Sequence, residues 1–151
     1  MLRQEFPEQP IVGVGAVILQ NESIVLVKRA AEPGKGKWSI PGGVVNLGEK
    51  VRDAVIREAK EECSLKIELL LNRPLDVVDM MVKDDIGRLK YHYVLLQFLS
   101  KPESGTLAAS SDASDALWAA LDAVEEYELT DSFRSFFKEH RDELRSFQPV
   151  L

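Results

Sequence analysis

Three glutamates near the middle of the chain, Glu58, Glu61 and Glu62, have a spacing that suits metal-assisted phosphate chemistry. Residues three and four apart share one face of a helix, so at about 100° per residue the carboxylates fall within an arc of roughly 100°. Like charges this close repel by roughly 0.2–0.5 kcal/mol per pair. A divalent cation would remove the repulsion, and Mg²⁺ takes oxygen ligands and bridges carboxylates to phosphates. The stripe therefore predicts a Mg²⁺ site.

The segment around these glutamates indicates how they would be positioned. A helix is predicted from about Glu49 to Cys63, with an apolar face beside the acidic stripe that suits packing on a sheet. The apolar residues of this face are Val55, Ile56, Ala59 and Cys63. Arg57 lies one turn before Glu61 and can pair with it. Pro41, Gly42 and Gly43 precede the helix and allow a sharp turn with close approach to a ligand.

The stretch from Gly43 to Leu65 resembles the signature of the Nudix hydrolases. That signature is glycine, five residues, glutamate, seven residues, arginine-glutamate, an aliphatic residue, any residue, two glutamates, any residue, glycine and an aliphatic residue. The matching positions are Gly43, Glu49, Arg57, Glu58, Ala59, Glu61, Glu62 and Leu65. Ser64 stands where the family has glycine, just after the helix, where a left-handed backbone is often needed. The flanking segments also resemble the family, over most of residues 11–125.

The resemblance implies a fold and a reaction. The fold would be one Nudix domain over residues 1–151, an α/β/α sandwich with a mixed β-sheet between the signature helix and a C-terminal helix. The reaction would be hydrolysis of a phosphoanhydride bond in a nucleoside diphosphate derivative, with Mg²⁺ (Mn²⁺ as an alternative) as cofactor. The leading substrate is ADP-ribose or a similar compound. The alternatives are a pyrophosphohydrolase that removes oxidised deoxynucleoside triphosphates, and a Nudix-fold sensor that binds a nucleotide without turnover.

The resemblance also assigns roles to the signature residues. Glu58, Glu61 and Glu62 would hold the metal, with Glu58 and Glu62 as the firmest ligands and Glu61 as a ligand or a helper of the base. Glu49 and Arg57 would form a buried ion pair that fixes the loop to the helix. The catalytic set is therefore Glu49, Arg57, Glu58, Glu61 and Glu62. Gly43 would offer its backbone to the metal or phosphate.

Residues outside the signature give weaker indications. Arg29, at the end of the second predicted strand, is a candidate for binding phosphate, because a guanidinium can hold phosphate at two places. Some family members take their general base from a later loop, and the candidates here are Glu103, Asp112 and Asp115. None of them has a distinctive spacing, and a solvated loop is the favoured explanation for each. Cys63 is expected to be a small buried hydrophobe.

Composition limits the class of partner. The 151 residues carry a formal net charge of -6, which argues against a general nucleic-acid binder, because such proteins need a basic surface. The apolar run from Ile11 to Leu19 is too short to span a bilayer and follows acidic residues. Together with the lone cysteine, these features predict a cytoplasmic protein with a small nucleotide substrate and no membrane partner. A homodimer is left open, since many Nudix relatives are dimers.

A coarse pass along the chain predicts strands mixed with two well-separated helices, which is typical of an α/β protein with a mixed sheet. The predicted strands cover 11–19, 23–30, 38–40, 65–71, 75–82, 90–99 and 117–120. A turn is predicted at Gly42-Gly43 and a long polar loop from Lys101 to Ser114. A short helix or turn is predicted from Leu121 to Tyr127. The last helix is predicted to begin at Thr130 or Asp131 and to run to about Phe147.

Overall fold

The computed structural model describes residues 4–147, so the predicted domain of residues 1–151 extends beyond the described part at both ends. Within residues 4–147, eight strands and two α-helices follow one another. The strands are β1 (Ile11–Gln20), β2 (Ser23–Arg29), β3 (Trp38–Ser39), β4 (Gly42–Val44), β5 (Lys66–Leu69), β6 (Asp76–Lys83), β7 (Leu89–Ser104) and β8 (Ala113–Ala120). The helices are α1 (Val51–Cys63) and α2 (Asp131–Ser146), with a 3₁₀ turn over Leu121–Glu126 before α2.

The strands form one mixed sheet, as predicted. Its main order is β3-β2-β1-β7-β5, with β4 paired to β1, β6 to β7 and β8 to β2. The central pair β1 and β7 is parallel, and the other strand pairs are antiparallel. The parallel register places Gly13 beside Leu95 and Gly15 beside Gln97, which matters for the cavity described below.

One helix covers each face of the sheet, so the predicted α/β/α arrangement is confirmed. Because side chains alternate along a strand, β1 contributes to two separate cores. Val14, Ala16 and Ile18 pack with the buried face of α1. Val17 and Leu19 pack on the other side with the phenylalanines of α2.

Helix α2 has a side-chain N-cap, and helix α1 is followed by a residue in the left-handed conformation. Thr130 caps α2, because its hydroxyl accepts a hydrogen bond from the backbone N–H of Phe133. After α1, Ser64 takes the left-handed conformation with φ of 65°, at the position where the signature has glycine. A non-glycine residue there costs on the order of 1–2 kcal/mol. The Ser64 hydroxyl donates to the carbonyl of Ala108 at 3.1 Å, which gives that residue a local partner.

Three predicted boundaries are wrong. Helix α1 begins at Val51 rather than Glu49, because Glu49 lies in the entry loop. The predicted turn at Gly42-Gly43 is strand β4, which pairs with β1. The predicted loop from Lys101 to Ser114 is shorter than expected and covers only residues 105–112: β7 continues to Ser104 against β5, and β8 begins at Ala113 against β2.

The end of β7 was predicted as a loop because its side chains change from apolar to polar. Beyond Ser100, the side chains of β7 become polar because this end of the strand pairs with the short edge strand β5. Lys101, for example, lies opposite Glu68, with Nζ 3.6 Å from a carboxylate oxygen. Among residues 4–147, no helix is both long and apolar enough to cross a bilayer.

Candidate active site

Helix α1 presents the three glutamates in unequal environments. Glu58 and Glu62 are buried, with 2% and 5% of their surface exposed, whereas the side chain of Glu61 is 47% exposed. The stripe predicted from the spacing therefore consists of two buried carboxylates and one at the rim. Buried carboxylates are rare unless they are paired or bind a cation.

Arg57 organises the charges around this stripe. Its Nε and Nη2 bind both carboxylate oxygens of Glu49, at 2.8 and 2.9 Å. Nη2 also donates to the carbonyl of Val44 at 3.0 Å, and Nη1 donates to Glu58 at 2.9 Å and Glu61 at 3.1 Å. One guanidinium thus joins the entry loop, β4 and two of the three glutamates.

The ion pair between Arg57 and Glu49 shifts both groups toward their charged forms. The hydrogen bond from Arg57 lowers the pKa of Glu49 to about 2, and the bond to Glu49 raises the pKa of Arg57. The side chains are 28% and 17% exposed, so the pair is partly rather than fully buried. Glu49 is committed to Arg57 and to the backbone N–H of Asn46, at 3.1 Å.

Glu62 is held differently. Its Oε1 accepts a hydrogen bond from the backbone N–H of Gly42 at 2.9 Å. Burial raises the pKa of Glu62 to about 7, although the Gly42 hydrogen bond and the positive charge of Arg29 oppose the shift. The negative charges of Glu58 and Asp112 add to it. Burial also raises the pKa of Glu58, against the effect of Arg57.

This donor set fits a divalent cation. Glu58 and Glu62 are both buried, the charge of Glu58 raises the pKa of Glu62, and the charge of Glu61, one turn along the same face, raises the pKa of Glu58. The positive charge of Arg57 is shared among three carboxylates, of which Glu49 takes two hydrogen bonds. The remaining negative charge on Glu58 and Glu62 is what a hard cation with oxygen ligands would balance.

The entry strand is constrained to glycine at the point nearest Glu62. A Cβ added to Gly42 would lie 2.1 Å from the carbonyl oxygen of Val14 on β1, so no side chain fits there. This close approach brings the Gly42 N–H to Glu62. Gly43, the predicted backbone contact for a ligand, follows directly and pairs with Val14.

A cavity of about 460 Å³ begins at these glycines and lies on the α2 side of the sheet. Arg29 and Lys37 line this cavity, and the positive charge of Arg29 acts on Glu62. Met80 and Val82 of β6 also line it. The Nε of Arg29 donates to the carbonyl of Pro33 at 2.6 Å, which holds the guanidinium at the cavity edge. The predicted phosphate-binding arginine is therefore placed beside the acidic stripe.

The sequence interpretation missed the floor of this cavity. Tyr93 and Gln97 of β7 line it, both buried, and the Tyr93 hydroxyl and Gln97 Oε1 have no hydrogen-bond partner within the described residues. A signal was available: Gln97 is the lone polar residue in the apolar run from Tyr93 to Leu99. A polar side chain in such a run, on a strand buried on both faces, is typical of a functional position.

The three acids proposed as later-loop bases have different surroundings in the structure. Glu103 pairs with Lys66 at 3.7 Å, and Asp115 accepts from the backbone N–H of Ala116 at 2.8 Å. Asp112 instead lies close enough to Glu58 and Glu62 to raise the pKa of both. Of the three, Asp112 is the one that the fold brings to the acidic stripe.

Two other groups with potential chemistry have structural partners. Burial raises the pKa of the Cys63 thiol to about 11, and the thiol donates to the carbonyl of Ala59 at 3.1 Å. His140 of α2 contacts Asp76 of β6 at 2.7 Å and Glu143 at 2.8 Å, using both ring nitrogens. Asp76, Glu139 and His140 have ligand atoms within 4.8 Å of one another, but the imidazole nitrogens are already engaged, so this group is an ion-pair cluster joining α2 to β6.

Comparison with known proteins agrees with this geometry. The model of the NUDIX domain matches residues 9–140. An ADP-ribose pyrophosphatase from Methanocaldococcus jannaschii is 37% identical over 109 residues, which are 71% of this chain and 60% of that protein. The chain thus matches less than two thirds of that relative's length.

Two solved structures extend the comparison. A MutT NUDIX hydrolase from Burkholderia pseudomallei superposes with a TM-score of 0.73 at 34% identity, over 87% of this chain and 98% of that one. A bifunctional NMN adenylyltransferase/ADP ribose pyrophosphatase from Francisella tularensis, complexed with AMP and a manganese ion, gives a TM-score of 0.65 at 26% identity. This likeness covers 90% of the present chain and 42% of that protein.

Proposed function

This chain belongs to the Nudix hydrolase family, and we propose that it hydrolyses the pyrophosphate bond of a nucleoside diphosphate derivative, with ADP-ribose as the leading substrate. The observation that carries the proposal is the pair of buried carboxylates, Glu58 and Glu62, beside a cavity edged by Arg29 and Lys37. Gly42, whose N–H binds Glu62, is one of the residues that line the cavity. Arg29 also lines it, and its positive charge acts on Glu62.

The choice of substrate is supported by the relatives. The Methanocaldococcus protein and the Francisella protein are both named for ADP-ribose pyrophosphatase activity. The Francisella structure holds AMP, which is one of the two products that ADP-ribose hydrolysis would release. The same structure contains manganese, in agreement with a divalent cofactor, for which we propose Mg²⁺ with Mn²⁺ as a substitute.

Glu58 and Glu62, with Glu61 at the rim, would hold the cation. When bound, Mg²⁺ would neutralise non-bridging phosphate oxygens and make a water molecule more acidic. The surrounding residues keep the carboxylates of Glu58 and Glu62 in position. The Gly42 N–H orients Glu62 at 2.9 Å, and Arg57 orients Glu58 at 2.9 Å while its other nitrogens bind Glu49.

The hydrolytic step needs positioning and charge compensation more than covalent catalysis. Water attacks one phosphorus, the bridging P–O bond breaks, and the products from ADP-ribose are AMP and ribose 5-phosphate. Arg29 and Lys37 would face the phosphates from the cavity side, since both line its edge. Asp112 is the proposed acceptor of the water proton, because it is the later-loop acid whose charge acts on Glu58 and Glu62.

Product analysis tests the proposal directly. The protein is incubated with Mg²⁺ and either ADP-ribose or oxidised dGTP, and the products are separated by anion-exchange chromatography. The expected result is AMP and ribose 5-phosphate from ADP-ribose. Pyrophosphate and a monophosphate from oxidised dGTP, with ADP-ribose intact, would instead assign the triphosphate reaction. Tight binding of ADP-ribose without any product would identify a sensor.

A further inference from the structure

Two buried polar atoms at the floor of the cavity have no partner among the described residues. Tyr93 is 6% exposed and Gln97 is 4% exposed, yet the Tyr93 hydroxyl and Gln97 Oε1 make no hydrogen bond. Buried polar groups in folded proteins are nearly always paired, because an unpaired group keeps its full desolvation penalty. Both residues line the cavity, so a ligand entering it can supply the missing partners.

The strand register makes room for Gln97. Parallel pairing of β1 with β7 places Gly15 directly beside Gln97. A Cβ on Gly15 would lie 1.9 Å from Gln97 Oε1 and 2.9 Å from Cδ1 of Ile40. Any other residue at Gly15 would therefore displace the amide. The space at Gly15 and the amide of Gln97 form one built feature of the cavity floor.

The groups around this amide suit a flat heteroaromatic ring. Side chains alternate along β7, so Tyr93, Leu95 and Gln97 share the cavity face. Met80 of β6 lies opposite Tyr93, and both Met80 and Leu95 line the cavity. Apolar side chains can contact the faces of a purine, while polar atoms on the floor can bind its edge.

We propose that Gln97 binds the amino edge of adenine, with the Tyr93 hydroxyl as a second contact, and so determines the base specificity of the enzyme. On its N7 edge adenine presents the N6 amino donor next to the N7 acceptor, and a glutamine amide can match both at once. Hypoxanthine carries a carbonyl oxygen in place of the amino group. On the N7 edge hypoxanthine therefore presents two acceptors, so the Gln97 NH2 group can donate to it but Oε1 stays unpaired. The inference rests on the proposed function for its substrate, but base recognition is also measurable by binding alone.

The first experiment compares ADP-ribose with inosine diphosphate ribose, which differs from it at the amino group. With Mg²⁺, the native protein should show a kcat/KM at least about tenfold higher for ADP-ribose. Gln97→Met keeps a similar volume and removes the amide. It should lower kcat/KM for ADP-ribose by about tenfold and leave that for inosine diphosphate ribose within about twofold.

Two controls separate recognition from folding. Leu96→Met changes the adjacent residue of β7, which packs on the α1 side of the sheet, and should keep the native base preference. The Gln97→Met protein should melt at the native temperature or above it, because an apolar side chain replaces an unpaired buried amide. A lower melting temperature with equal losses on both substrates would make Gln97 a structural residue and overturn the proposal.

The second experiment measures binding of AMP and of IMP by calorimetry, without turnover. AMP should bind more tightly than IMP to the native protein, and Gln97→Met should abolish the difference. If neither diphosphate ribose is hydrolysed but this pattern is found, the proposed function fails and base recognition by Gln97 stands. If ADP-ribose is hydrolysed but AMP and IMP bind alike, or AMP does not bind, the proposed function stands and base recognition by Gln97 is overturned.

Discussion

The two sides of the central sheet differ in whether their polar side chains are paired. On the α1 side, charges are joined in a network, in which Arg57 alone binds Glu49, Glu58 and Glu61. On the α2 side, the Tyr93 hydroxyl and Gln97 Oε1 of the cavity floor have no hydrogen-bond partner in the described part of the chain. A network that satisfies its own members can position a catalytic group, whereas atoms left unpaired can recognise a ligand. We therefore assign catalysis to the Arg57 network and the glutamates on the α1 side, and substrate recognition to the cavity floor on the α2 side.

The largest effect is expected from Glu62→Gln, which tests the reaction side. The variant keeps the acceptor for the Gly42 N–H but loses the negative charge, so kcat with Mg²⁺ should fall by at least about a hundredfold. Because burial raises the pKa of Glu62 to about 7, the neutral amide removes a buried charge, and the metal-free protein should melt no lower than the native one. Steady-state kinetics and thermal melting measure the two quantities.

Glu61→Gln is the matched control for that variant. Its side chain is 47% exposed and lies at the rim, so its loss of kcat should be smaller than that of Glu62→Gln. Native-like turnover by Glu62→Gln would falsify the assignment of that residue to the cation.

The next effect concerns the network itself, through Arg57→Lys. Lysine has a single ammonium group and cannot reach Glu49, Val44 and Glu58 together in the way a guanidinium does. The entry loop and Glu58 should lose their fixed positions, which should lower kcat by about tenfold to a hundredfold and reduce the melting temperature. Arg52→Lys, at an exposed position of the same helix, should change neither. Equal behaviour of the two variants would mean that the Arg57 network does not position the site.

The same contrast explains what the sequence could predict. The Arg57 network comes from one continuous segment, so residue spacing on a helix was enough to bring Glu58, Glu61 and Glu62 together. The cavity floor comes from β1 and β7, which lie about 80 residues apart in the chain and meet through a parallel register that no local pattern specifies. From the sequence, Gln97 and Gly15 are therefore predicted only to lie in the strands at 90–99 and 11–19.

Errors in the element boundaries have a similar origin. The polar end of β7 after Ser100 looks like a loop until its partner β5 is known. Strand β4 is too short to give a periodic signal, and its glycines are typical of turns. Asp112 was one of three equivalent loop acids in the sequence, and the loop between β7 and β8 is what brings it to the stripe.

A smaller effect is expected from Gly15→Ala, which tests whether the cavity floor requires a glycine at this position. Gly15→Ala should raise the KM for ADP-ribose, because the new methyl group displaces Gln97 Oε1. Overpacking should also lower the free energy of unfolding by about 1–3 kcal/mol. The double variant Gly15→Ala/Gln97→Ala should recover part of that stability while the KM stays high. If the double variant loses the sum of the two single losses, the residues are energetically independent.

The smallest effect concerns the ion pair between His140 of α2 and Asp76 of β6, the strand whose Met80 and Val82 line the cavity. Burial alone would lower the pKa of His140, but hydrogen bonds to Asp76 and Glu143 outweigh it and raise the pKa, while the bond to His140 lowers the pKa of Asp76. The raised His140 pKa gives stability that is complete below its unfolded value, about 6.5, and is lost as pH rises through the folded value. The lowered Asp76 pKa gives stability that is lost as pH falls below about 4.

Urea unfolding of the native protein and of His140→Asn across pH 4 to 9 measures this contribution. The native protein should be more stable by up to about 1 kcal/mol between pH 4 and 6.5, because both side chains are partly exposed and solvent screens the pair. The difference should shrink above that range as the imidazole loses its proton. Asp76→Asn should remove most of the same difference, and the double variant should add little to either single change. A stability difference that grows with rising pH would contradict the pairing, and the attachment of α2 to the sheet would then be assigned to the packing of its phenylalanines in the core.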